Sequence, residues 1–163
     1  LGCRVHERAP PTVPVQVRPQ GRGSMTQRTI ERLNAGLPEF IHMLGGRVAE
    51  ASSDSLTMKF DIGLQFCHSG DIVQGGFITA MLDAAMSHAV FMLDETVVGL
   101  SSLEISTRYL EVTRAGPLDA VGRIVRLSYK TAFLDGQLFS ADHRLLATTH
   151  SVAKLTRKPA PDG

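Results

Sequence analysis

Residues 68–93 read His68-Ser-Gly-Asp-Ile-Val-Gln-Gly-Gly-Phe-Ile-Thr-Ala-Met-Leu-Asp-Ala-Ala-Met-Ser-His-Ala-Val-Phe-Met-Leu93, a polar, glycine-bearing loop that runs into a segment apolar on almost every side. At 3.6 residues per turn, Thr79, Asp83 and Ser87 stand four apart and form one narrow polar stripe. A helix with so little polar surface is normally enclosed by other structure. A carboxylate inside such a helix costs about 2–7 kcal/mol when left unpaired, so Asp83 needs a partner, water or a chemical task. Catalysis is one such task.

On either side of this helix the pattern changes. Upstream, the sequence predicts two short helices over 26–33 and 38–44, with Pro38 at an acceptable first-turn position and Gly45-Gly46 as the stop. Strands are expected over 47–51 and 55–60, then loop over 61–74. Downstream, a period of two sets in over 97–111, where Leu103, Ile105, Thr107 and Tyr109 alternate with Ser102, Glu104, Ser106 and Arg108. Further strands are expected over 118–127, 131–134, 137–141 and 144–155, with Asp135-Gly136 read as a sharp turn or bulge. Strands joined by hairpin-length connections imply an antiparallel sheet. The expected class is therefore α+β, a curved antiparallel sheet of five or six strands wrapped around one long buried helix.

Composition bounds the rest. The 163 residues, 43% hydrophobic and 20% charged, suit one globular domain with a real core. The net charge of +1 hides an asymmetry: residues 1–24 carry Arg4, Arg8, Arg18 and Arg22 against Glu7 alone. The remainder is close to neutral and offers no electrostatic footprint for nucleic acid. With Pro10, Pro11, Pro14 and Pro19 and no apolar run, residues 1–24 read as a disordered leader. They are either transit-peptide-like or a non-native extension ahead of Met25, with the single domain over 25–163. Cys3 and Cys67 give no disulfide framework and suit a reducing cytoplasm. Asp83 and His88 interrupt the only candidate for a membrane span, so no membrane association is expected.

Gln74-Gly75-Gly76, followed by Phe-Ile-Thr-Ala-Met-Leu-Asp83, resembles the His-Gly-Gly … Asp signature of hotdog-fold acyl-CoA thioesterases. The branch it is most similar to is that of phenylacetyl-CoA thioesterase, within the 4-hydroxybenzoyl-CoA thioesterase superfamily. The likeness runs over about 45–156. It includes the strand Ser102–Leu110, ending Arg-Tyr-Leu, and the pair Tyr129-Lys130-Thr131-Ala132-Phe133 and Asp142-His143-Arg144-Leu145-Leu146-Ala147. The chain departs from the signature at two positions: Gln74 stands for the usual His, and His68 for an Asn six residues earlier.

The resemblance implies a set of roles. Asp83 is the nucleophile or general base and acts from the neighbouring subunit. The Gly75 amide donates to the oxyanion, Ser102 positions water, and Gln74 and His68 complete the catalytic set. Gly76 is expected to contact substrate. Of the cations, Arg108, Arg114, Arg126 and Lys130 read first as solvated or interface charges, any of them able to meet the phosphates of CoA, and Arg108 and Lys130 are the two assigned as substrate contacts. The implied assembly is a homodimer at minimum, and a homotetramer by family habit. No metal or redox cofactor is implied. The chemistry of the residues agrees: thioester hydrolysis needs a carboxylate and donors for the developing oxyanion. Gly75 and Gly76 open the helix, where amides lack intrahelical partners and sit at the positive end of its dipole.

Two other functions compete. Ser69-Gly70-Asp71 superficially matches the start of a hotdog-fold hydratase motif, but that motif has His five residues after its Asp, and here the residue is Gly76. Asp83 and His88 are also five apart, yet on a helix they diverge by about 140°. The third reading is a non-catalytic acyl-CoA-binding module, which Gln74 and His68 leave open.

Overall fold

The computed structural model describes residues 27–159. The expected leader and the boundary at residue 25 lie outside them. In chain order the elements are α1 (Gln27–Ala35), α2 (Glu39–Met43), β1 (Arg47–Ala51), β2 (Ser55–Ile62), a 3-10 turn (Leu64–Phe66), β3 (Cys67–Ser69), β4 (Ile72–Val73), α3 (Gly75–Leu93), β5 (Val97–Tyr109), β6 (Gly116–Leu127), β7 (Thr131–Ser140) and β8 (Leu145–Arg157). Six strands form one antiparallel sheet in the order β1-β2-β6-β7-β8-β5, and β3 pairs with β4.

Alternation puts one face of that sheet against α3. Leu56, Met58, Phe60 and Ile62 of β2, Leu118 and Ala120 of β6, and Ala132, Leu134 and Leu138 of β7 are all buried. Ten of the nineteen residues of α3 are buried as well, Met81, Leu82 and Met86 completely. Each of the large apolar side chains among them contributes about 1.5–3 kcal/mol of transfer free energy. By length and apolarity alone α3 passes for a membrane span, but it is the core helix of this domain.

Two glycines set how closely the helix approaches. A Cβ on Gly122 would fall 2.3 Å from the carbonyl carbon and oxygen of Ala85, and one on Gly136 2.7 Å from Thr149 Cγ2 and 3.3 Å from Leu82 Cδ2. This corrects the reading of Asp135-Gly136 as a turn. β7 runs unbroken through both residues, with Asp135 paired to Arg123 and His150, and Gly136 to Gly122 and Thr149. The glycine is there for helix–sheet clearance, not for chain reversal. The expected loop 61–74 is also more ordered than its sequence suggests, holding the 3-10 turn and the β3–β4 hairpin.

The order of the strands leaves two edges. At the β1 edge, the Asn34 side chain of α1 accepts from the Val48 amide at 2.8 Å and donates to the Val48 carbonyl at 3.0 Å, standing in for a neighbouring strand. β5, thirteen residues long, pairs only with β8, and its far side has no strand beside it among the described residues.

Candidate active site

The polar stripe of α3 faces β5. Ser102 Oγ donates to Asp83 Oδ1 at 2.8 Å, joining the third turn of the helix to the middle of the edge strand. Asp83 is half-buried and Ser102 exposed, so the carboxylate is not sealed in the core but borders the open edge. One turn earlier, Thr79 Oγ1 lies 2.9 Å from the Tyr109 hydroxyl and donates to Thr107 Oγ1 at 3.1 Å. The Tyr109 hydroxyl also donates to the Gly75 carbonyl at 3.0 Å.

Gln74 is the N-cap of α3 and exposed, and its side chain makes no capping bond. Its carbonyl accepts the Phe77 amide at 2.9 Å, so the Gly75 and Gly76 amides precede the first intrahelical bond. The loop before them is held in place. The Gln74 amide donates to the Phe66 carbonyl at 2.9 Å, and the Phe66 and Phe77 rings meet edge-to-face with centroids 4.9 Å apart. Val73 and Ala115 exchange backbone bonds with Thr113 and Asp71 across the same loop, and Arg114 pairs with Asp71.

The sequence-named residues are only partly brought together. Gly75 and Asp83 are eight residues apart on one helix, an axial separation of about 12 Å. One thioester carbonyl cannot touch both within a single chain. His68 is exposed on β3 and bonds its neighbour, Nδ1 2.8 Å from Ser69 Oγ. Arg108 is exposed and sits between Thr107 and Tyr109, whose side chains reach α3, so it leaves the strand on the opposite face. Lys130, also exposed, lies in the β6–β7 turn. Ser128 and Tyr129 of that turn accept from Arg157, and Arg157 binds Asp94, the C-cap of α3. That is the opposite end of the helix from Gly75. Two surface grooves, of about 220 Å³ beside Phe133, Asp135 and His150 and about 480 Å³ beside Glu111, Arg114 and Arg144, lie away from the Asp83–Ser102 pair.

His88 does not form a dyad with Asp83. It is buried, its Nδ1 2.8 Å from the Ala84 carbonyl, and burial holds its ring below the usual imidazole range against the pull of that carbonyl and of Asp83. Among the described residues no three His, Cys, Asp or Glu side chains are grouped as a metal site.

The thioesterase superfamily model matches residues 70–147, which span the helix start, Asp83, Ser102 and Tyr109. Residues 70–147 are thus similar to the thioesterase superfamily. The fold agrees, because the same helix-in-sheet hotdog arrangement recurs in solved structures. A variant of thioesterase PA1618 from Pseudomonas aeruginosa is 21% identical with a TM-score of 0.72, covering 79% of this chain and 94% of that one. A phenylacetic acid degradation-related protein from Ralstonia eutropha is 26% identical with a TM-score of 0.70, covering 77% and 98%. The PaaI protein of the E. coli phenylacetic acid degradation operon is 12% identical with a TM-score of 0.70, covering 79% and 92%.

Within the matched stretch, Tyr109 is the contact that sequence reasoning missed as a site residue. Its phase in the strand, two residues after Thr107, put it on the helix-facing side. Nothing in the sequence shows that the ring reaches back 34 positions to Gly75.

Proposed function

We propose that this chain hydrolyses an acyl-CoA or aryl-CoA thioester, with water, to the free acid and CoA. The observation that carries the reading is the Asp83–Ser102 pair, set at an open edge about 12 Å along one helix from two unpaired glycine amides. The Gly75 amide suits an oxyanion, because it is an uncommitted donor at the positive end of a helix. Asp83 either attacks the thioester carbonyl and expels CoA thiolate, giving an anhydride that water then opens, or takes a proton from the attacking water. Ser102, bonded to one carboxylate oxygen, leaves the other free for either task. Gln74 and His68 lie on the approach to the helix and are proposed to order water. Gly76, Arg108 and Lys130 are proposed to meet the substrate, the two cations at its phosphates.

The axial separation requires a second copy. A dimer that brings Asp83 of one chain to the Gly75 amide of another completes the site, and the bare side of β5 offers the surface for it. A tetramer of such dimers is the proposed full assembly, without metal or redox cofactor, and the cytoplasm is the proposed compartment.

The deciding experiment is a thiol-release screen of wild type and Asp83→Asn over aryl-, short-, medium- and long-chain acyl-CoAs. Turnover of at least one thioester by wild type, with the mutant folded and nearly inactive, is the expected result. Binding without turnover across the panel overturns it in favour of a non-catalytic acyl-CoA module. A stable, fully active monomer in light scattering would refute the shared site.

A further inference from the structure

The two glycines that open α3 are glycines for different reasons. A Cβ on Gly75 would lie 3.1 Å from both Cζ and the hydroxyl oxygen of Tyr109, so the phenol fills the place of a side chain there. A Cβ on Gly76 would meet nothing within 4 Å, and Gly76 is exposed. One glycine is closed by protein and the other faces open space.

The partners of Tyr109 fix the direction of its bond. Each hydroxyl has one proton to give. Thr149 Oγ1 donates to the Ser106 carbonyl at 3.1 Å, and Thr79 Oγ1 donates to Thr107 Oγ1 at 3.1 Å. Thr107 and Thr149 are 3.1 Å apart, so the proton of Thr107 goes to Thr149. A carbonyl can only accept, so in the 3.0 Å contact with the Gly75 carbonyl the proton is that of the Tyr109 hydroxyl, which Thr79, already donating to Thr107, can share only as a second acceptor. That carbonyl and the Gly76 N–H belong to one peptide unit. A bond accepted at the carbonyl draws charge from the nitrogen and strengthens the N–H as a donor, by roughly 10–30% per bond.

We propose that Tyr109 is a positioning residue for thioester hydrolysis: by holding the Gly75 carbonyl it fixes and polarises the Gly75–Gly76 peptide. The Gly76 N–H then becomes a second donor to the thioester oxygen, beside the Gly75 N–H. This rests on the thioesterase reading, and it places the thioester on the Gly76 side, away from the phenol.

The test uses the full chain and three variants. Tyr109→Phe keeps the ring against Gly75 and removes only the hydroxyl. Expected are an unchanged thermal midpoint, a KM close to wild type and a kcat about 10-fold lower, less than the 10²–10³-fold lost with a whole oxyanion donor. A second readout needs no turnover. In phenacyl-CoA a methylene separates sulfur from the ketone, so no thioester is present to cleave. Its ¹³C-labelled ketone carbon should shift downfield on binding to wild type or Asp83→Asn, and by less on binding to Tyr109→Phe. Because the shift comes from bound ligand, it reports folded protein only. Gly76→Ala should fold as wild type and bind phenacyl-CoA more weakly. An unchanged kcat and an unchanged ketone resonance in Tyr109→Phe overturn the proposal while leaving an active wild type as a thioesterase. Undiminished binding by Gly76→Ala also overturns it. A wild type that neither hydrolyses any thioester nor binds phenacyl-CoA removes the thioesterase reading and this proposal together.

Discussion

At one edge of the sheet, Asn34 closes both backbone groups of Val48; at the other, β5 runs for thirteen residues with no strand beyond it among the described residues. The sealed edge carries none of the candidate site. The open one carries Ser102, Arg108 and Tyr109 and exposes Leu103 at 66% and Val98 at 54%. A long edge with apolar side chains is a template for another chain unless something covers it. Leu103 also sits at a register shift between Ser102 and Glu104, so the strand bulges beside the residue that holds Asp83. The contrast teaches that a side chain closes the edge away from the candidate site, while the edge that carries it has no strand beyond it among the described residues.

The strongest test of that contrast is chemical. Asp83→Asn removes the charge at the open edge while keeping shape and a hydrogen bond to Ser102. It should lower kcat by roughly 10²–10⁴-fold with little change in the thermal midpoint. Retention of most of kcat makes Asp83 a structural carboxylate and the open edge an ordinary surface.

Next comes assembly. Leu103→Lys places a charge on the bare strand and should weaken self-association about 10- to 100-fold, read by sedimentation equilibrium. Glu50→Lys, an equally exposed change on β1, should leave the oligomer unaltered. Equal effects at both positions erase the distinction between the edges.

Opening the sealed edge is smaller in energy. Asn34→Leu strands the Val48 amide and carbonyl and should cost about 1–3 kcal/mol, seen as a lower thermal midpoint with kcat per folded molecule unchanged. No loss of stability would mean that water replaces the amide at no cost.

The smallest effect lies where the open strand begins. Val97 pairs with Arg157, whose guanidinium binds Asp94, and Asp94 in turn accepts from the Thr96 hydroxyl. The Thr96 hydroxyl first, and the Arg157 guanidinium next, hold the Asp94 carboxyl at about 2. The folded value lies below that of the unfolded chain, so acid protonates the unfolded state first. The stabilisation is complete above about pH 4 and fades between about pH 4 and 2. Asp94→Asn should cost up to about 2 kcal/mol at neutral pH and flatten that acid limb. An unchanged limb in chemical denaturation at pH 2–5 would assign acid sensitivity elsewhere.

Much of the fold is legible in the residues themselves. The bounds of α3 and β1 are read correctly, because a glycine pair starts the helix and the change from period 3.6 to period 2 ends it. The misses share a cause. Asp135-Gly136 has turn chemistry locally, and only the packing of Leu82 and Thr149 over Gly136 makes it a strand. Asn34 looks like a loop-prone residue at a helix end until Val48 is beside it. The pairing of Asp83 with Ser102 spans 19 positions, and that of Tyr109 with Gly75 spans 34. Period-two alternation puts Tyr109 on the helix side but Ser102 on the other, and only the bulge between Ser102 and Glu104 turns Ser102 to α3; which residues touch depends further on the order of strands in the sheet.

That order also has a consequence for synthesis. β5 is made before β6 and β7 but, among the described residues, pairs only with β8, the last strand described. While residues 145–157 are still inside the ribosome, β1, β2, β6, β7 and α3 can associate, but the strand bearing Ser102 and Tyr109 has no strand to pair with and only α3 to touch. Non-local pairings of this kind form late and leave strands exposed meanwhile. A nascent chain released before β8 emerges would thus hold much of its core but no strand to pair with β5.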